Sequence, residues 1–140
     1  MHPYLAELPA VAAASDDPDT QTACILLSLE GDAICAANSL PAGVLVTPER
    51  TRRPDKYAFI AHAERQAIAR AARLGARLDG ATALLNWFPC AGCAGSLIEA
   101  GIKILHVKQS AYEARKHDPR YEFAAAMEML LEAGVAIRWF

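Results

Sequence analysis

HAERQAIARAARLGARLDGATALLNWFPCAGCAGSLIEAGIKILHV, residues 62–107, sets the architecture of the chain. From His62 to Gly75 the apolar residues recur at helical spacing, with Ala67, Ile68, Ala71 and Leu74 as one stripe and Gly75 as the stop. After Asp79-Gly80 the run ATALLNW is short and almost wholly apolar, the pattern of a strand buried on both faces. A second helix then opens at Pro89 and closes at Gly101, and a second strand, IKILHV, follows it. Helices alternating with short apolar strands imply parallel strands joined by crossover helices.

Working outward, residues 22–29 and 33–38 read as strands of a hairpin turning at Glu30-Gly31-Asp32. Residues 4–14 have helical spacing, with Pro9 marking a kink or a first turn. Residues 39–61 show no period and contain Pro41, Gly43, Pro48 and Pro54, so they read as one long loop, and loops of that length are often functional. Residues 109–120 are polar and mostly irregular, with one helical turn around Tyr112 to Lys116. A helix over 121–132 and a last strand over 135–140 complete the chain. The expectation is a single domain, residues 1–140, of the α/β class: a three-layer α/β/α sandwich whose five-stranded mixed sheet carries helices on both faces.

Composition narrows the function. With 54% hydrophobic and 21% charged residues the 140-residue chain is neither disordered nor fibrous. A net charge of −2 gives no general attraction to a polyanion, so a nucleic-acid partner is not expected. No apolar run approaches the ~20 residues of a membrane helix, and Met1-His2-Pro3-Tyr4 has no signal-peptide pattern; no membrane partner and a cytoplasmic location are expected. Cys24 and Cys35 sit inside apolar runs as small core residues. Cys90 and Cys93 instead form a C-x-x-C directly after Pro89.

Catalytic zinc sites use three protein ligands and keep a fourth position for water. His62, Cys90 and Cys93 supply three. Two cysteines at a helix start share its positive dipole end, which favours thiolate. His62 begins the preceding helix, one strand away, so a crossover brings the two helix starts to one edge of the sheet. Two thiolates and a neutral imidazole balance the charge of Zn2+, and water bound there becomes far more acidic. Glu64 lies roughly 200° around the helix from His62, a poor position for a fourth ligand but a good one for a proton shuttle.

The conjunction of H-x-E with P-C-x-x-C is the signature of zinc nucleobase deaminases. At these residues the chain resembles the cytidine and deoxycytidylate deaminase superfamily, from about Ser15 onward. SDDPDTQTACILL, AANSLPAG and RPDKYAFIAHAERQAI are each similar to stretches of the deoxycytidylate branch. The resemblance implies that His62, Cys90 and Cys93 bind zinc, that Glu64 moves protons, that Asn38 contacts the substrate sugar and that the backbone at Ala63 holds a ring carbonyl. It also implies a homo-oligomer, a dimer or hexamer. Ala36, Ala37, Ser39 and Ala42 depart from the glycine-rich loop with which the family binds a regulatory nucleoside triphosphate.

Two further groups are candidates for substrate binding. Arg50, Arg52, Arg53 and Lys56 crowd the loop before His62, either as a phosphate clamp or as a solvated charge run. Trp87 and Phe88 stand just before Pro89, either as a wall against a flat ring or as core. The expected activity is hydrolytic deamination of a pyrimidine nucleotide or base, deoxycytidylate first. Deamination of another aminated base or nucleoside such as cytosine or guanine, of transfer-RNA adenosine, and a non-catalytic zinc module remain as alternatives.

Overall fold

The computed structural model describes all 140 residues. Strand β1 (Ala23–Leu27) pairs antiparallel with β2 (Ala33–Ala37) on one side and with β3 (Thr82–Leu85) on the other. Strands β3, β4 (Ile104–Val107) and β5 (Ala136–Trp139) are mutually parallel, giving the order β2-β1-β3-β4-β5. The hairpin thus forms one edge, and the crossovers run through the other half of the sheet.

Side chains alternate along β1, and the alternation sorts the helices into layers. Ala23 and Ile25 join Leu5, Leu8 and Ala12 in a small core beneath a 3-10 turn (Pro3–Glu7) and α1 (Leu8–Ala12). Cys24 and Leu26 join the larger core beneath α3 (Ala63–Leu74), α4 (Ala91–Ala100) and α6 (Phe123–Glu132). Helices therefore cover both faces, as expected.

Helix α3 buries Ala63, Ala67 and Ala71, whose spacing of four puts small residues on one stripe and lets the helix lie close to β1 and β2. The expected stripe is narrower in fact: Ile68 is half-buried and Leu74, in the last turn, is exposed. Gly75 (φ 70°) and Gly101 (φ 97°) end α3 and α4 in the left-handed conformation that glycine adopts without strain.

Two segments differ from expectation. The 39–61 loop contains a short helix, α2 (Lys56–Phe59), and its ends are pinned by a bridge between Ser39 and Ala61. Gln109–Arg115 forms a continuous helix, α5, rather than a single turn. Only Ala111 is buried within it, so it lacks the apolar stripe that would reveal it; Tyr112 anchors it instead, with its ring 4.9 Å from that of Phe88.

Candidate active site

His62 and Cys90 are the N-cap residues of α3 and α4, both with extended backbone and neither capping its helix with its side chain. Their side chains turn toward each other. Nδ1 of His62 lies 3.3 Å from Sγ of Cys93 and 3.6 Å from Sγ of Cys90, and the three donor atoms all fall within 4.8 Å of one another. The fold thus closes a sequence separation of 28 between His62 and Cys90 into one cluster.

Glu64, in the first turn of α3, is buried at 7% exposure and lines the same cavity as His62 and Cys90. That cavity measures about 300 Å3. Thr20, Thr22 and Asn38 form one part of its wall, Trp87, Tyr121 and Phe123 another, and Arg53 and Arg120 also border it. Residues 2–109, which include the donor trio and Glu64, match the family model described as the cytidine and deoxycytidylate deaminase zinc-binding region.

The chain belongs to the cytidine and deoxycytidylate deaminase family. It is a hydrolytic deaminase with a zinc cofactor. Mouse deoxycytidylate deaminase is 31% identical over 133 residues, covering 90% of this chain and 71% of the mouse protein. An uncharacterized deaminase from the luxG 3′ region of Aliivibrio fischeri is 28% identical over 135 residues, covering 96% of this chain and 88% of that protein. The dCMP deaminase of cyanophage S-TIM5, solved with dCMP and dUMP, superimposes with a TM-score of 0.76 at 18% identity, covering 100% of this chain and 99% of its own. The guanine deaminase of Nitrosomonas europaea reaches a TM-score of 0.62 at 19% identity, over 96% of this chain and 74% of its own. Both structures share the fold.

The deaminase's donor set fits zinc. Ideal Zn–S and Zn–N bonds in a tetrahedron separate neighbouring donors by about 3.6 Å, close to the two distances above. The electrostatics also suit a cation. A hydrogen bond from the Cys93 thiol, helped against burial by His62, holds Cys90 down to about 3. The same bond, with burial, pushes Cys93 upward, and His62 is raised mainly by Cys90. One thiolate is therefore ready in the trio, and metal binding displaces the remaining protons. Burial lifts the Glu64 carboxyl above the ordinary carboxylate value, the direction that suits a group alternately taking and giving a proton.

Of the four loop cations, only Arg53 and Lys56 reach the cavity of the deaminase. Arg50 donates to the Leu45 carbonyl at 2.9 Å and lies over the Phe59 ring, and Arg52 donates to the Pro48 carbonyl at 3.0 Å. Both brace their own loop. Lys56 is buried and donates to Asp17 at 3.0 and 3.3 Å. Asn38 is nearly used up: its oxygen accepts from Ser15 Oγ and from the Thr22 amide, and its nitrogen donates to the Thr20 carbonyl at 2.8 Å. One N–H is left for a substrate.

Trp87 is half-buried, whereas Phe88 is 2% exposed among Tyr112, Phe123 and Trp139 and chiefly packs. Asp17, Thr20, Thr22 and Arg120 are cavity residues that sequence reasoning passed over, and Tyr121, whose place in a helical segment reads as packing, lines the cavity as well. Asp17 lies in the SDDP stretch quoted for the resemblance, a signal that was available; Arg120 ends the polar segment 109–120, and nothing marked it.

Proposed function

We propose that this deaminase removes the 4-amino group of deoxycytidylate, giving deoxyuridylate and ammonia. The observation that carries the reading is the meeting, in one cavity of about 300 Å3, of His62 and Cys90 from the donor trio, buried Glu64 and the cations Arg53 and Arg120. The likeness to mouse deoxycytidylate deaminase supports the same substrate.

His62, Cys90 and Cys93 would hold the zinc, which would supply Lewis acidity toward a water molecule. Glu64 takes one proton from the attacking water as its oxygen bonds to C4, and passes that proton to ring N3. It then carries the second proton to the amino nitrogen as the C4–N bond breaks, so one water is consumed and one ammonia leaves. Trp87 faces the flat ring, the remaining N–H of Asn38 serves the sugar, and the backbone at Ala63 serves the ring carbonyl. Arg53 and Arg120 take the 5′-phosphate. Lys56 contributes through Asp17, and Arg50 and Arg52 act only on the loop.

The reading is tested by comparing dCMP, deoxycytidine, cytosine and guanine as substrates. Two charge-assisted contacts predict that kcat/KM for dCMP exceeds that for deoxycytidine by about 100-fold or more. Arg53→Ala should remove about tenfold of that advantage and leave deoxycytidine turnover unchanged. Equal rates with and without the phosphate overturn the nucleotide assignment; faster turnover of guanine overturns the ring.

A further inference from the structure

Trp87 stands between two cavities. The first is the active-site cavity; the second, about 260 Å3, is bounded by Asn86, Lys108, Ser110, Ala111 and Arg115, and Trp87 is the single residue that lines both. The guanidinium carbon of Arg115 lies 3.7 Å from the centroid of the Trp87 ring, well inside the ~6 Å reach of a cation–π contact. Arg115 borders only the second cavity, so it bears on the indole from that side. From within the first cavity the Tyr121 ring meets Trp87 edge-on, at 5.7 Å and 69°.

Arg115 is itself held in place. It sits in the last turn of α5, and its Nη1 donates to the Ala111 carbonyl at 3.4 Å. No carboxylate claims its charge: the ion pairs of the chain join Lys56, Arg77, Lys116 and Arg120 to acids, and Arg115 is in none of them. The neighbouring Glu113 is occupied by Lys116 at 2.6 Å. The arginine therefore directs an uncompensated charge at the face of the indole, where the ring quadrupole attracts it.

We infer that Arg115 is a positioning residue for substrate binding: it holds Trp87 upright as a wall of the active-site cavity without reaching the substrate. Trp87 lies between β3 and Cys90, just after Asn86, whose side chain fastens to Ala23 and Gln21. The indole is only half-buried, so its backbone is fixed while its side chain needs a separate restraint. Arg115 supplies that restraint from the helix that carries it, giving α5 a task at the active site. The inference rests on the reading that a flat base lies against Trp87.

Trp139→Phe leaves Trp87 as the only tryptophan, since the chain has two. On that parent, Arg115→Ala, Arg115→Gln and Arg115→Lys are compared by acrylamide quenching of Trp87 and by steady-state kinetics on whichever substrate the parent turns over best. Losing a cation–π contact at a partly exposed site predicts a KM raised about three- to tenfold in the Ala and Gln variants, with kcat within about twofold. Quenching of Trp87 should increase in parallel, zinc content should hold, and Arg115→Lys should recover part of both effects because its ammonium keeps the attraction. Unchanged quenching in Arg115→Ala overturns the inference, as does greater quenching with an unchanged KM. Equal behaviour of Lys and Gln overturns the role of the charge. A parent inactive on dCMP would refute the deoxycytidylate reading, while the quenching series would still judge Arg115.

Discussion

Lys56→Met is expected to cost about 2–3 kcal/mol of folding free energy. Lys56 and Asp17 are both 5% exposed and come from segments 39 residues apart, so their ion pair ties the loop before His62 to the segment before β1. Methionine keeps most of the length and volume but removes the ammonium. Asp17 then remains in the wall with only the amides of Asp19 at 2.9 Å and Thr20 at 3.2 Å as donors. Breaking a fully buried pair costs about 3–5 kcal/mol and an exposed one less than about 1. Both residues line a cavity that admits water, which sets the cost between these limits. With an unfolding entropy of ~2.1 cal/mol/K per residue, the melting temperature should fall by roughly 7–10 °C. Circular dichroism melts of the zinc-loaded protein measure it. Asp17→Asn combined with Lys56→Met should recover more than half of the loss, because neither charge is left alone. A loss below about 1 kcal/mol, or a double variant no better than the sum of the singles, would refute the reasoning. The pH dependence is a second check. Burial pushes the Asp17 carboxyl up, but the Asp19 amide, Lys56 and the Thr20 amide outweigh it and hold it below its usual 3.8. A depressed carboxyl stabilises the fold above the unfolded value and loses that contribution as pH falls through the native one. The gap between wild type and Lys56→Met should therefore be steady at neutral pH and close below about pH 4.

Glu64→Gln should lower kcat by about 100- to 10,000-fold with zinc stoichiometry intact, as metal analysis beside the kinetics will show; a variant retaining full activity removes Glu64 from the proton transfers. Cys93→Ser, or treatment of the wild type with a chelator, should lower zinc content, activity and melting temperature together, with zinc restoring all three only in the chelated wild type. Gly101→Ala should destabilise by about 2 kcal/mol or more in denaturant melts. A Cβ at Gly101 would lie 2.8 Å from the Asp79 Cα, at a φ of 97° that alanine resists; an unaffected midpoint contradicts this.

The parts of the fold that were legible in the sequence are those whose local pattern and tertiary role agree. The apolar runs of β1, β3 and β4 and the glycines ending α3 and α4 all carry their structure in a few adjacent residues. The donor trio was legible because zinc chemistry restricts ligand type and because the helix starts bearing His62 and Cys90 were marked by sequence signals of their own. Lys56 shows where this ends. As a sequence it is one more cation beside Arg53; its partner lies in SDDP, and nothing local links the two. Leu74 was assigned inward by periodicity, yet in the last turn of α3 its side chain lies in solvent. Helix α5 was hidden for the opposite reason: its contacts run through Tyr112 and Arg115 to aromatic residues far along the chain, and helical spacing records none of them.

The cap positions of α3 and α4 have a consequence for how the protein can change over time. A cap residue ordinarily satisfies the open amides of its own helix, and its loss frays that helix alone. Here the two cap side chains, His62 and Cys90, leave their own helices uncapped and turn toward each other, so a single ion held by the trio would fasten the starts of both. A substitution in either place would then loosen two helices at once, and the damage would reach the sheet they cover. A lineage that abandoned the chemistry would be slow to abandon the residues, because the same atoms hold the architecture together. An inactive descendant of this chain would be expected to lose Glu64 first and its zinc last.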